Sequence, residues 1–301
     1  MALMASAVDV REVAGCCVIR APIVQTLPVV FSSPHSGRAY TDAFIATARL
    51  DQATLRRSED SYVDDIFSAS PLMGAPLIAA TFPRAYCDVN REAWELDPAM
   101  FEDTLPPWVN TTSARVGAGL GTIARVVANG EAIYGIRLRF ADAQHRVRTC
   151  WQPYHDALAD LISQTVAQFG VCLLVDCHSM PGSATSGRHP APEIVLGDVH
   201  GTSCAPAIMR MIDQFFGRRG YLTRRNDPYA GGYVTRHYGR PRSGVHAIQI
   251  EIARSLYMNE ASLEKLPGFE RVAGDASGLL EEFQSLAGTF GILSDGHQAG
   301  A

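Results

Sequence analysis

The sequence contains no run of about 18 consecutive apolar residues, so no helix is expected to cross a membrane. Its first residues, Met1-Ala-Leu-Met-Ala-Ser-Ala-Val, have no basic segment ahead of an apolar one, and Asp9 and Glu12 follow soon after. A secretory leader is therefore not expected, and the expected compartment is the cytoplasm. A strong excess of either charge is also missing: 26 basic residues face 31 acidic ones, for a net charge of -5. No global positive field would recruit nucleic acid or an anionic membrane, so an anionic ligand must be held by locally placed arginines. The seven cysteines are odd in number and include no C-x-x-C pair, which fits scattered reduced thiols better than disulfides or a zinc knuckle. The G-x-S-x-G elbow, the Walker loop and the H-E-x-x-H helix are all absent. The nearest approach to a dinucleotide fingerprint, Gly117-Ala-Gly119-Leu-Gly121-Thr122, ends in Thr where Gly is needed, and no strong strand precedes it.

What is present is a hydrophobic fraction of 47%, enough for a compact globule and distributed in short runs. Leu27 to Ser33 reads as a strand stopped by the turn Pro34-His35-Ser36-Gly37, which leaves His35 at a strand's C-terminal edge. Further strands are expected over 76–82, 86–89, 171–177, 194–196 and 247–252, each short and apolar as strands buried on both faces are. After Trp151, the residues Tyr154, Leu158, Leu161, Ile162, Thr165 and Phe169 recur with a helical period until Gly170. Helices are also expected over 205–216 and 262–286, the second opening on a capping-box-like Ser262-Leu-Glu-Lys. The alternation predicts an α/β fold, a three-layer sandwich with a mixed, mainly parallel central sheet flanked by helices, in one domain spanning 1–301. Residues 97–130 and 180–192, rich in Pro, Gly and Ser, break the rhythm and are expected as long active-site loops. The tail from 294 to 301 is expected to be loose.

In open α/β sheets ligands collect at the C-terminal ends of strands. Three such ends here carry chemistry: His35, the run Asp176-Cys177-His178-Ser179, and Glu251. A catalytic zinc takes about three protein ligands, from His nitrogen and carboxylate oxygen, and leaves a position open. His35 and His178 supply nitrogens, with Gly37 and Gly182 nearby to permit close approach of a substrate. The acidic third ligand is Asp60 or its neighbour Glu59. A strand-end histidine can also be purely structural, and Asp60, just ahead of the helical pattern Tyr62, Val63, Ile66, Phe67, can be an N-cap. Glu251 interrupts the apolar run His246-Ala-Ile-Gln-Ile-Glu-Ile, where a buried charge is costly unless a metal, a cation or a proton compensates it. That fits a general base; an ion pair with Arg254 or Arg236 is the alternative. Asp88-Val-Asn90-Arg91 sets an amide beside a guanidinium, a pairing suited to carboxylates. Arg84 adds a cation, and Gly231 to Gly239, carrying Arg236 and His237, adds a second patch expected on a loop. Cys177 is set aside as a nucleophile working with His178, because neighbours on a strand face opposite ways.

Taken together, Ser33-Pro-His35-Ser-Gly37, Asp88-Val-Asn-Arg91, Trp151-Gln-Pro-Tyr-His155, Leu174-Val-Asp-Cys-His178-Ser, Leu196-Gly-Asp198 and Gly231 to Gly239 followed by His246 to Glu251 resemble the N-formylglutamate amidohydrolase family. The match runs in order over roughly residues 27 to 260. The resemblance implies a fold similar to zinc carboxypeptidases and aspartoacylases, one Zn2+ per chain, and hydrolysis of N-formyl-L-glutamate to glutamate and formate in histidine breakdown. It implies that His178 is the second zinc histidine, Asn90 and Arg91 the clamp on a substrate carboxylate, and Glu251 the catalytic glutamate. The zinc carboxypeptidase pattern has Glu three residues after its first His, whereas this chain has Arg38 there, so the acidic ligand is sought at Asp60, with Glu59 behind it. The expected partner is a small anionic N-acyl amino acid, with no nucleic acid and no membrane. Action on another N-acyl amino acid or a peptide, or metal-free binding of acidic metabolites, are the competing expectations.

Overall fold

The computed structural model of the chain describes residues 8–127, 130–187 and 190–295. The expectations for the first seven residues and for the tail past 295 lie outside the described residues; Ser294 and Asp295 still belong to the last helix. The strands are β1 Val8–Val13, β2 Cys17–Pro22, β3 Val29–Ser33, β4 Leu77–Ala80, β5 Cys172–Met180, β6 Ile194–Gly197, β7 Thr223–Arg225 and β8 Val245–Ala253. They form one sheet in the order β1-β2-β4-β3-β5-β8-β6-β7. The centre, β4-β3-β5-β8, is parallel, and antiparallel pairings join β1 to β2, β2 to β4 and β6 to β8, so the sheet is mixed as expected.

The helices, in chain order, are α1 Asp42–Thr47, α2 Gln52–Arg56, α3 Val63–Ile66, α4 Ala114–Gly117, α5 Phe140–Arg146, α6 Gln152–Phe169, α7 Pro206–Arg218, α8 Tyr233–Tyr238 and α9 Gly268–Asp295. None is long and apolar enough to cross a membrane among the described residues. Alternation along β5 and β8 divides the core. Leu173, Val175, Cys177, Ile248, Ile250 and Ile252 pack on one face with Ile212 and Phe215 of α7 and Leu279 and Phe283 of α9. Cys172, Leu174 and Ala247 pack on the other with Tyr154, Leu158 and Leu161 of α6. These are the three layers.

The next residues along that second face are Asp176 and His178 on β5 and Gln249 and Glu251 on β8, which sit opposite one another in register as Asp176–Gln249 and His178–Glu251. The first half of this face is thus covered by α6, while its C-terminal half carries polar groups toward a cavity. Cys177 points into the opposite core, as the alternation requires.

Several elements depart from expectation. Residues 86–89 form no strand: the Asp88 N–H goes to the Thr122 carbonyl, and the Val89 carbonyl is bonded by His155 Nε2 on α6, so the apolar side chains face a helix without joining the sheet. The last helix begins at Gly268; Ser262 lies in a turn that precedes it, its amide bonded to Asn259 Oδ1. The stretch 233–238 is helix α8, because Asn90 Oδ1 accepts the Val234 N–H at its otherwise open N-terminus. Two edge elements, the β1–β2 hairpin and β7, went unread because their side chains are mostly exposed or half-buried and lack an apolar run. Residues 128–129 and 188–189 of the two expected loops lie outside the described residues; the stretch 97–127 is mainly irregular, yet it contributes Phe101 and Ile123 to one small core with Leu96 and Ala124 to another with Phe44 and Ile133.

Candidate active site

Three chain segments converge at the C-terminal edge of β3, β5 and β8. His35 follows β3 on a turn pressed against β4: a Cβ at Gly37 would overlap the Phe82 carbonyl, so this glycine admits protein backbone and not substrate. Asp60 is tied to that turn by its own N–H, bonded to the His35 carbonyl at 3.0 Å. Tyr62 then takes a left-handed φ of 67°, turning the chain into α3, a conformation that costs a non-glycine residue on the order of 1 kcal/mol or more. It is held there by its hydroxyl on the Leu263 carbonyl and by the Tyr257 hydroxyl on the Ser61 carbonyl. Tyr62, not Asp60, is the residue at the N-cap of α3.

The carboxylate of Asp60 is consequently aimed at the histidines. Its Oδ2 lies 3.0 Å from His178 Nδ1 and 3.3 Å from His35 Nδ1, and its Oδ1 accepts from Arg254 Nη2 at 3.0 Å. Both histidines are backed on the other ring nitrogen by a buried carboxylate: His35 Nε2 by Asp88 Oδ1 at 2.7 Å, and His178 Nε2 by Asp176 Oδ2 at 2.9 Å. A carboxylate on Nε2 fixes the proton there and turns the Nδ1 lone pair toward the cluster, as outer partners do for metal-ligating histidines. His35 Nδ1 is buried and has no hydrogen-bond partner, an orphan acceptor that a cation would satisfy. His35, Asp60 and His178 each offer a ligand atom, all within 4.8 Å of one another, so this buried group can hold a metal ion. Glu59 faces away, bonded to Arg56 and Ser61.

Burial works to raise the Asp60 carboxyl, but the hydrogen-bonding contact with His178 and the closeness of His35 outweigh it and hold the group well below the usual carboxylate range. Glu251 is opposite in kind. Burial pushes its carboxyl up to about 7, against the lowering effect of His178. It accepts from Gln249 Nε2 at 2.6 Å, and among the described residues it forms no ion pair with Arg254 or Arg236. Arg254 is committed to Asp60, to Ser179 Oγ and to the Arg57 carbonyl.

His35, Asp60, His178, Glu251, Arg84, Asn90, Arg91 and Arg236 all line one cavity of about 500 Å³. Asn90 is placed there as a bracket: its Oδ1 receives the Val234 N–H of α8 and its Nδ2 lies 3.0 Å from His178 Nε2 and 3.2 Å from Asp176 Oδ2, so both ends of its amide are engaged by protein. Gly232 lets it sit so close, since a Cβ there would overlap the Asn90 amide. His237 lies on the exposed side of α8, stacked on Tyr233 with ring centroids 4.8 Å apart, and does not line the cavity. Arg84 is paired with Asp88 at 2.8 Å, whereas among the described residues the Arg236 side chain meets only the carbonyls of Gly231 and Gly232. The Trp151–His155 motif is explained by support: Trp151 Nε1 donates to the Arg91 carbonyl and His155 bridges the Val89 carbonyl and the Tyr238 hydroxyl.

Sequence reading missed the roles of Asp88, Asp176, Gln249 and Arg254. Two were detectable. Asp88 and Asp176 are acidic residues inside apolar runs, the same anomaly that drew attention to Glu251. Because Asp176 backs His178, Asp176→Asn is expected to weaken divalent-metal affinity by about 10- to 100-fold with the fold intact. Metal titration of the variant checks this, and wild-type affinity would contradict the backing role.

The fold and this site are those of an α/β amidohydrolase, with a buried histidine–carboxylate group at the C-terminal edge of the sheet and Glu251 on the strand beside His178. The chain belongs to the N-formylglutamate amidohydrolase family, whose model matches residues 27–258. It is 28% identical over 240 residues to the N-formylglutamate deformylases of Pseudomonas putida and Pseudomonas aeruginosa, covering 78% of this chain and 83% of each relative. The crystal structure of N-formylglutamate amidohydrolase from Ralstonia eutropha JMP134 superposes with a TM-score of 0.83 at 33% identity, over 95% of this chain and all of that one. A gene product of Agrobacterium tumefaciens, 19% identical with a TM-score of 0.61, shares the fold.

Proposed function

We propose that this chain, as one amidohydrolase domain, hydrolyses N-formyl-L-glutamate to L-glutamate and formate with a divalent metal, zinc first among candidates, as a cytoplasmic enzyme of histidine breakdown. The observation that carries the reading is the pair of carboxylate-backed histidines whose Nδ1 atoms both face Asp60, that of His35 buried with no hydrogen-bond partner. His35, Asp60 and His178 would hold the ion. When bound, it supplies Lewis acidity toward a carbonyl oxygen and toward water.

The chain's own groups do the rest. Glu251, buried and raised to about 7, takes a proton from the attacking water as the water oxygen bonds to the formyl carbon. The C–N bond then breaks as Glu251 returns that proton to the departing amine nitrogen, so the carboxylate is regenerated. Arg84, Arg91 and Arg236 bind the substrate's carboxylates and stabilise the developing oxyanion, while Asn90 donates to Asp176 and so braces the carboxylate behind His178.

Formate release from N-formyl-L-glutamate, measured with metal content before and after chelation, tests this. Turnover that needs about one equivalent of metal is the expected result. Turnover undiminished by complete metal removal would refute the metal-dependent mechanism, and metal binding without formate release would refute the substrate.

A further inference from the structure

The 97–130 excursion contributes Arg115, Leu120, Ala124 and Val126 to the cavity wall, an apolar surface with one cation. Arg115 is half-buried on α4, and among the described residues its guanidinium has no hydrogen-bond or ion-pair partner. Beside it is Arg91, which is only 8% exposed and is held rigidly by the carbonyls of Leu120 and Asn90 at 2.9 and 2.8 Å. Its nearest carboxylate, Asp88, is 3.8 Å away and already committed to Arg84 and His35. Burial, together with the like charges of Arg84 and Arg115, lowers the Arg91 guanidinium despite Asp88. Two neighbouring cations, one buried with a carboxylate 3.8 Å away that it shares with Arg84 and His35, the other unpaired among the described residues, form an incomplete group that an anion would complete. The apolar residues around them suit an aliphatic stem leading to that anion.

We propose that Arg91 and Arg115 form a subsite for the side-chain carboxylate of the substrate, and that Arg115, carried on the excursion, determines selectivity for N-acyl dicarboxylic amino acids over their uncharged counterparts. This rests on the amidohydrolase reading of the same cavity. A bidentate or paired guanidinium contact to a carboxylate, lost from a water-poor pocket, is felt as a selective loss on the charged substrate.

The test compares kcat/KM for N-formyl-L-glutamate and N-formyl-L-glutamine, which are nearly isosteric, in wild type, Arg115→Gln and Arg115→Lys. The ratio of the two substrates is expected to fall by about 10- to 100-fold in Arg115→Gln and to recover in part in Arg115→Lys, which keeps the charge. An unchanged ratio, or equal losses on both substrates, would overturn the subsite. Thermal stabilisation by L-glutamate and by L-glutamine is measured on the same proteins, so that the subsite is judged separately from the chemistry. A preference for glutamate that Arg115→Gln abolishes supports the subsite even if neither formyl compound is hydrolysed, and a preference that survives the substitution overturns it.

Discussion

Glu251→Gln is expected to lower kcat for N-formyl-L-glutamate by about 10²- to 10⁴-fold while leaving bound metal at the wild-type level. The substitution keeps the volume and the contact with Gln249 but removes the proton acceptor, and Glu251 is not one of the three groups whose ligand atoms cluster. A loss of metal in parallel with activity would instead make Glu251 a ligand, and near-normal turnover would remove it from the reaction. The pH dependence follows from burial, which raises the carboxyl to about 7. As a base Glu251 works deprotonated, so kcat/KM in wild type should climb through pH 7 from the acid side. Stability runs the other way. A group whose folded pKa is raised contributes stability that is complete below its unfolded value and is lost as pH rises through the folded one. Metal-free Glu251→Gln should therefore melt a few degrees above metal-free wild type at pH 8, with the advantage gone near pH 4. A melting difference independent of pH would contradict the raised carboxyl.

The parts of this molecule legible in the sequence are those where one local rule settles the outcome. The apolar runs at 27–33, 76–82, 171–177 and 247–252 read as short buried strands, and the period-3.6 pattern before Gly170 as a helix on a sheet, and strands and helix lie there. Strand-end placement then pointed to His35, His178 and Glu251, and register turned the last two into direct neighbours. What stayed hidden depends on partners distant in sequence. Asp60 was separable from Glu59 only once the left-handed Tyr62 fixed which of two adjacent carboxylates turns inward. The 86–89 run has strand composition, but Thr122 and His155, about 35 and 65 residues away, take its backbone groups. Asn90 carried the right chemistry for a carboxylate, yet both ends of its amide are engaged by α8 and by the His178–Asp176 pair, a fact set by the position of Gly232 some 140 residues later. Arg115 drew no notice because an arginine in an irregular stretch is usually a solvated one.

His178→Ala is the second substitution with a large expected effect: stoichiometric metal should be lost and formate release should fall by about 10³-fold or more, well beyond the expected effect of Asp176→Asn. His178 is 2% exposed and joins three carboxylates, through Nδ1 to Asp60, through Nε2 to Asp176, and by register to Glu251. Removing the ring takes away one of three candidate ligands and leaves Asp60 and Asp176 facing each other across a void, each with one fewer partner to offset burial, Asp60 keeping Arg254 and Asp176 keeping Asn90 and Ser32. The same change removes a nearby positive influence on Glu251, whose carboxyl should then be raised further. Lower thermal stability in the variant is expected on these grounds alone, and it would not distinguish a metal ligand from a structural histidine. Addition of Zn2+ separates the two. Wild type should gain melting temperature with added metal, because an ion that binds only the folded state stabilises it by mass action, whereas the variant should gain little. If His178→Ala still takes up one equivalent of metal and gains the same stabilisation, the ion is held elsewhere, and the orphaned Nδ1 of His35 must be satisfied by some other group.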